Sequence, residues 1–266
     1  MTTPQSETAK PRRTRPQLSV KTPNPTASFW IAKLLTTACG EALSDYLAKT
    51  YGPAIAASVT GVLLAVFLTW QIALRRHVTW VYWGAVTMVA IFGTLAADGL
   101  HVLAGVPYVA SSIAFAVILA VILTVWWLSE RTLSIHSIDT RRREGFYWGT
   151  VGATFALGTA VGDLTAKVFG WGYLTSGIVF ALLFALTGAA FRWWHLNAIA
   201  AFWTAYILTR PLGASFADWF ALEPEKGGLG LGPGQVGVAL LAGIVVVVAV
   251  MSRKKAGLLD EATEGA

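Results

Sequence analysis

The stretch FWIAKLLTTACGEALSD, residues 29–45, begins with an aromatic-Trp pair, carries a glycine ten residues after the Trp and ends with an aspartate fifteen residues after it. The same spacing occurs four times in the chain. The copies are Phe29-Trp30/Gly40/Asp45, Tyr82-Trp83/Gly93/Asp98, Tyr147-Trp148/Gly158/Asp163 and Phe202-Trp203/Gly213/Asp218. The other two aspartates, Asp139 and Asp260, lie in polar stretches. The pattern is therefore a fourfold internal repeat.

The composition is that of an integral membrane protein. Of 266 residues, 55% are hydrophobic and only 13% are charged, which departs from the balance of soluble proteins. Apolar runs of about twenty residues are long enough to cross a bilayer. They cover 29–48, 54–74, 80–100, 108–128, 146–166, 173–193, 196–217 and 236–252. We predict an all-α membrane domain over 29–252 with eight transmembrane helices, two in each repeat (about 29–76, 80–130, 146–193 and 196–252).

Basic residues predict the orientation, because short cytoplasmic loops carry an excess of Lys and Arg. They concentrate at both ends of the chain and in alternate connections: Lys10, Arg12, Arg13, Arg15 and Lys21; Arg75 and Arg76; Arg131 and Arg141 to Arg143; Arg192; and Arg253, Lys254 and Lys255. Both termini are predicted to be cytoplasmic, with a disordered basic tail over 1–28 and a second tail over 253–266. Each repeat crosses twice, so all four run in the same direction, with the first helices forming an inner ring. The basic charge fits contact with anionic lipid, and no nucleic-acid partner is expected.

Helical geometry separates the repeated residues into two groups. At about 100° per residue, the Trp, the position eleven residues after it and the Asp share one helix face, whereas the Gly lies about 140° from the Asp. Small residues allow close helix approach, and indoles commonly anchor helices at the membrane surface. We therefore predict structural roles for Trp30, Trp83, Trp148, Trp203, Gly40, Gly93, Gly158 and Gly213.

The four repeated aspartates are candidates for a solute pathway. A carboxylate at the membrane centre costs about 2.5–3.5 kcal/mol on insertion scales, so such residues face the bundle interior and commonly mark pathways. Two alternatives remain open: the four aspartates share a functional interior, or they form buried structural ion pairs. Asp45 with Lys49 and Asp163 with Lys167 have the i,i+4 spacing of structural ion pairs. Asp98 and Asp218 have no such Lys, so ion pairing of this kind explains only half of the set.

The position eleven residues after each Trp breaks the repeat, being Glu41, Thr94, Thr159 and Ala214. Glu41 lies one helical turn before Asp45, and adjacent carboxylates tend to share a proton or hold a cation. With oxygen donors such as Thr37 nearby, this region suits a hard cation, although the pattern specifies no metal.

The candidate pathway also contains two basic residues, Lys33 and Arg210. Arg210 precedes Pro211, which removes a backbone donor and can kink the helix. Two interpretations stay open: Arg210 recognises an anionic group beside the kink, or it forms a buried ion pair with Glu41 or Asp218.

The four tandem two-helix units, with Trp, Gly and Asp at these offsets over residues 29–252, resemble a family of bacterial multi-pass membrane proteins built from a repeat of unknown function. Members of that family are described as membrane-anchored proteins. The resemblance implies the bacterial cell (inner) membrane and a repeat architecture. It implies no catalytic residue and no substrate.

Two functions compete. The first is a transporter or channel-like permease for a cation or proton-coupled solute that passes along the repeated carboxylates. The second is a non-transporting scaffold or accessory subunit whose aspartates are structural. An enzyme is the least supported class, because we find no nucleophile-base pair, metal-ligand motif or phosphate loop, and no cofactor is expected. The expected partners are the lipid bilayer, a cation or small solute, and a second copy of the chain.

Overall fold

The computed structural model describes residues 20–102 and 104–264, and within them the chain is all-helical. The α-helices are α1 (Ala27–Tyr51), α2 (Pro53–Ala73), α3 (Thr79–Val102), α4 (Tyr108–Glu130), α5 (Arg141–Asp163), α6 (Gly172–Trp193), α7 (Ala198–Ala221) and α8 (Pro233–Glu264). A π-helical turn, Leu164–Val168, extends α5, and short 3-10 turns cover Ile135–Ser137 and Pro224–Lys226. The prediction of an all-α chain is confirmed. Helix α8 continues through residues that we expected to form the C-terminal tail.

Local sequence explains where several helices begin. The Thr26 and Thr140 side chains accept hydrogen bonds from backbone amides in the first turns of α1 and α5, and Asn197 does the same for α7. These N-caps satisfy amides that have no partner within the helix. Pro53 occupies the first position of α2, where its missing amide hydrogen costs nothing.

The odd-numbered helices form a closed ring. Helix α1 contacts α3, α3 contacts α5, α5 contacts α7, and α7 returns to α1. Each even helix packs mainly on the odd helix of the next repeat: α2 on α3, α4 on α5, α6 on α7, and α8 on α1. The odd helices therefore form the inner layer, as their polar residues predicted. The even helices form the outer layer, in which α8 packs back on α1 of the first repeat.

The outer surface identifies the chain as a membrane protein. Among the described residues, five helices are long and apolar enough to cross a membrane: Pro53–Ala73, Thr79–His101, Tyr108–Glu130, Gly172–Trp193 and Pro233–Lys254. Large apolar side chains on the even helices face outward, such as Val62, Leu182 and Val246, each more than 60% exposed. A soluble monomer rarely exposes so extended an apolar surface. Helices α1, α5 and α7 carry more polar residues, and much of their surface is buried in the ring.

The repeated glycines lie where neighbouring odd helices approach each other. A Cβ atom added to Gly40 would lie 2.5 Å from the Cβ of Ala90, and one added to Gly93 would lie 3.2 Å from the Cβ of Phe155. The equivalent contacts join Gly158 to Arg210 and Gly213 to Thr37. In all four interfaces the glycine faces the residue seven positions after the Trp of the next repeat, so the ring repeats one packing arrangement.

The aromatic-Trp pairs form a second set of cyclic contacts, which we call the aromatic layer. The first aromatic of each repeat packs on the Trp of the next. The pairs are Phe29–Trp83, Tyr82–Trp148, Tyr147–Trp203 and Phe202–Trp30, with ring centroids 5.5, 5.8, 6.2 and 5.6 Å apart. Three of the four tryptophans are buried and Trp30 is half-buried. The interpretation of these indoles as membrane-surface anchors is therefore corrected: they pack between helices inside the bundle.

The N-terminal segment also requires a correction. Residues 1–19 lie outside the described residues, but residues 20–28, which we expected to belong to a disordered tail, pack against the bundle. The Lys21 ammonium is buried and donates to Glu144 Oε2 at 2.6 Å and to the Ile72 carbonyl at 3.1 Å. The Thr22 hydroxyl donates to the Ile135 carbonyl at 2.7 Å. This segment therefore lies across the amino-terminal end of the ring.

Candidate functional site

Four odd helices meet at the guanidinium of Arg210 in a group we call the central layer. From α7, Arg210 Nη2 donates to Glu41 Oε2 on α1 at 2.7 Å, to Thr159 Oγ1 on α5 at 2.8 Å and to the Thr94 hydroxyl on α3. Arg210 Nη1 donates to the Thr37 carbonyl at 3.0 Å. The Arg210 and Glu41 side chains are 1% and 7% exposed. The central layer is a buried, hydrogen-bonded ion pair.

The repeat explains how these residues come together. Glu41, Thr94 and Thr159 occupy the position eleven residues after the Trp in the first three repeats. The fourth repeat has Ala214 there and supplies Arg210 from one turn earlier, where the missing Cβ of Gly158 leaves room for it. The open choice between two acidic partners is thereby resolved, because Arg210 pairs with Glu41 and not with Asp218.

A cavity of about 330 Å³ lies at the carboxyl ends of the odd helices, and we call it the carboxyl-end cavity. Glu41 lines it as well as belonging to the central layer, so the central layer lies at its base. The other charged side chains that line it are Asp45, Asp98, Asp218, Lys49, Lys167 and Lys226. The repeat therefore gathers three of its four aspartates, Asp45, Asp98 and Asp218, around one cavity.

Some of these carboxylates are neutralised within the chain. Asp45 pairs with Lys49 at 2.7 Å and Asp163 pairs with Lys167 at 2.9 Å, as their i,i+4 spacing predicted. In the part of the chain that the structure describes, neither the Asp98 nor the Asp218 carboxylate has an ion pair or a hydrogen bond. Asp218 is only 8% exposed. Two carboxylates thus face the cavity without a partner.

Two groups of side chains have metal-ligand proximity. The carboxylate oxygens of Glu41, Asp45 and Asp98 lie within 4.8 Å of one another, and so do ligand atoms of Asp98, His101 and Asp163. Sequence reasoning did not place His101 in the site, because the histidines show no familiar ligand spacing. The available signal was its position three residues after Asp98, which places both residues on one helix face.

Lys33 lies apart from the cavity. Its side chain is 1% exposed, and its Nζ lies 3.9 Å from the ring centroid of Phe155 and 4.1 Å from that of Tyr206. This Nζ has no hydrogen-bond partner among the described residues. The Arg210 guanidinium lies on the same Phe155 ring, 5.5 Å from its centroid. Lys33 therefore lies among aromatic rings next to the central layer.

Comparison with known proteins places this repeat in a family. The family described as "Repeat of Unknown Function (DUF347)" matches residues 28–77, 81–132, 146–195 and 201–256. The chain belongs to this family. The four DUF347 matches coincide with the four two-helix units, so the resemblance seen in the sequence is confirmed. No curated protein and no solved structure matches the chain.

The structure divides the site residues predicted for this DUF347 protein into three groups. The central layer contains Glu41, Thr37, Thr94, Thr159 and Arg210. The carboxyl-end cavity is lined by Asp45, Asp98 and Asp218, with the Asp163–Lys167 pair beside it, and Lys33 lies among aromatic rings. Chemically, the cavity offers carboxylate oxygens, and the imidazole of His101 lies beside Asp98. Those groups suit a cation, whereas the central layer presents a guanidinium whose charge is already paired.

Proposed function

We propose that this protein is a multi-pass membrane permease that takes up a cation, or a solute coupled to one, in the carboxyl-end cavity. The observation that carries the proposal is the pair of unpartnered carboxylates, Asp98 and Asp218, in a cavity at the carboxyl ends of the ring helices. Carboxylates at membrane depth are costly, and a bound cation offsets that cost. Their recurrence at one repeat position in a shared space further supports a solute site.

The proposed topology has all eight helices crossing a bacterial inner membrane in four same-direction repeats, with both termini cytoplasmic. The distribution of Lys and Arg supports this orientation. The contacts between equivalent repeat positions, such as the aromatic layer, support a common direction for the repeats. In this topology the carboxyl-end cavity opens on the side opposite the cytoplasm.

The proposed transport mechanism is that of a carrier. The Arg210–Glu41 pair, the Lys33 environment and the aromatic layer occupy the ring axis below the cavity. A solute therefore passes only if these layers rearrange. Glu41 links cation binding to this rearrangement, because its carboxylate lies near Asp45 and Asp98 and also binds Arg210. A cation that recruits Glu41 weakens the hold of Glu41 on Arg210 and so favours rearrangement.

Flux measurements in liposomes test this proposal. Purified protein is reconstituted, and proton, monovalent-cation and divalent-cation fluxes are compared for the wild type, Asp98→Asn and Asp218→Asn. Asp139→Asn is the matched control, since Asp139 pairs with Arg143 at the amino-terminal end of α5, away from the carboxyl-end cavity. We expect flux in the wild type and the control and its loss in both cavity variants. Equal flux in all four proteins would contradict the role of the cavity.

A non-transporting scaffold or accessory subunit is the second candidate function. The observation that favours it is that Glu41, Asp45 and Asp163 are already paired, while bulky side chains occupy the axis. This function predicts no flux under any gradient.

A further inference from the structure

We infer that a divalent transition-metal ion binds beside the carboxyl-end cavity through Asp98, which lines that cavity, together with His101 and Asp163. This inference names the cation class for the site assigned above and so rests on the proposed function. The three residues come from two odd helices, α3 and α5, and their ligand atoms lie within 4.8 Å of one another. Tetrahedral ligands with bond lengths near 2.1 Å lie about 3.4 Å apart. The three ligand atoms therefore move closer by at most about 1.4 Å when one ion binds them.

The hydrogen bonds of His101 leave one ring nitrogen available. The Ser111 hydroxyl donates its only proton to the Tyr108 carbonyl at 3.1 Å. A metal ion on His101 Nδ1 selects the tautomer in which Nε2 donates to Ser111 Oγ, a contact of 2.6 Å. His101 Nδ1 is then left with a lone pair, and this buried atom has no partner within the described residues. An imidazole oriented through its second nitrogen is typical of metal-ligating histidines.

The charge of the cavity supplies an independent argument for a divalent ion. Three carboxylates around it are neutralised within the chain, in the pairs Asp45–Lys49, Asp163–Lys167 and Glu41–Arg210. Lys226, which also lines the cavity, pairs with Glu223 at 3.3 Å. Two carboxylates remain, those of Asp98 and Asp218, with a formal charge of −2, which becomes −3 when the ion displaces Lys167 from Asp163. Asp218 is more than nine-tenths buried and lines the same cavity.

Lys167 occupies the position of a competitor for the metal. Its ammonium binds the buried Asp163 at 2.9 Å, but its own side chain is 43% exposed. A metal ion that takes Asp163 as a ligand replaces this ammonium, and the exposed Lys167 side chain can move to solvent. Lys167 also lies in the π-helical turn that follows Asp163, a backbone feature that is frequent at functional sites.

The ligand set favours a transition metal over the hard cations. Imidazole suits Zn²⁺, Co²⁺ and similar ions, whereas Mg²⁺ and Ca²⁺ prefer sites made of oxygen alone. Asp98 also belongs to the all-oxygen group with Glu41 and Asp45. An ion can therefore keep Asp98 as a ligand while it moves from His101 towards the central layer. This gives the metal a path to Glu41, the residue that holds Arg210.

Titration of the purified full chain with Zn²⁺ or Co²⁺ alone tests the inference. Calorimetry measures affinity, and the visible absorption of Co²⁺ reports nitrogen coordination. We expect His101→Ala to weaken binding by about tenfold or more, and the exposed His136→Ala to leave it unchanged. Lys167→Met is expected to tighten binding because the competing ammonium is gone, a change of sign that general damage to the fold does not produce.

The outcomes separate this inference from the proposed function. No Zn²⁺ or Co²⁺ binding by the wild type, or equal binding in His101→Ala, overturns the metal assignment. Weaker binding in Lys167→Met also contradicts it. Metal binding without flux upholds the site and contradicts the permease. A fourth outcome is that the protein binds no metal but carries a proton or monovalent-cation flux that Asp98→Asn abolishes. This outcome upholds the permease and overturns the metal site.

Discussion

Replacement of Arg210 by Met should destabilise the bundle more than loss of any exposed charge. The substitution removes hydrogen bonds to Glu41, Thr94, Thr159 and the Thr37 carbonyl. It also leaves the Glu41 carboxylate, 7% exposed, without a counter-charge. Removing one partner of a buried ion pair costs about 3–5 kcal/mol, mostly because the other charge stays buried. We therefore expect Arg210→Met to lower the free energy of unfolding by about 4 kcal/mol.

A double variant separates the ion pair from simple loss of packing. In Arg210→Met/Glu41→Gln no buried charge remains, so we expect the double variant to recover about 1–3 kcal/mol relative to the sum of the two single variants. Denaturant or thermal unfolding in detergent, followed by circular dichroism, measures all three variants. Arg192→Met, at an exposed position on α6, is the control. The argument is refuted if Arg210→Met unfolds like the control, or if the double variant loses as much stability as both single variants added together.

Three further substitutions test other parts of the ring. Gly158→Ala should lower the free energy of unfolding by about 1–3 kcal/mol, because the added Cβ would overlap the Arg210 side chain. The control Gly149→Ala, at a glycine that faces open space, should be neutral or slightly stabilising, and equal effects of the two substitutions would contradict this. Lys33→Met should raise the melting temperature, since it removes a buried ammonium without a hydrogen-bond partner; a lower melting temperature would mean that the contacts with the aromatic rings outweigh this cost. Lys21→Met should leave Glu144 buried without its ion pair and speed protease cleavage of the 20–28 segment; unchanged cleavage would show that this ion pair does not hold the segment.

Much of the fold could be predicted because the repeat fixes both helix number and helix faces. The apolar runs located all eight helices, and the polar character of the odd helices indicated that they form the inner ring. The order of contacts around the ring could not be predicted, since a helix face identifies what is buried but not which neighbour covers it. The pairing of each repeated glycine with the next repeat is visible only once the ring is closed.

The candidate site was predictable in its residue types but not in its pairings. Glu41 and Asp218 were equivalent partners for Arg210 on sequence grounds, and the decision came from the ring, which places Glu41 opposite the guanidinium. The place of His101 in the site could not be predicted from the sequence, because its imidazole contacts Ser111, which lies beyond the turn between α3 and α4. Lys21 lies in a polar segment that indicated disorder, and its buried partner is 123 residues away in the sequence.

The measurement that tests the central claim most directly is charge movement in proteoliposomes adsorbed to a solid-supported membrane. A rapid jump in cation concentration should produce a transient current in the wild type, because a cation enters the cavity beside Asp98 and Asp218. The double variant Asp98→Asn/Asp218→Asn should give no such current while reconstituting to the same level. Wild-type protein that gives no current with protons, monovalent cations or divalent cations would contradict the claim that this cavity is a cation site.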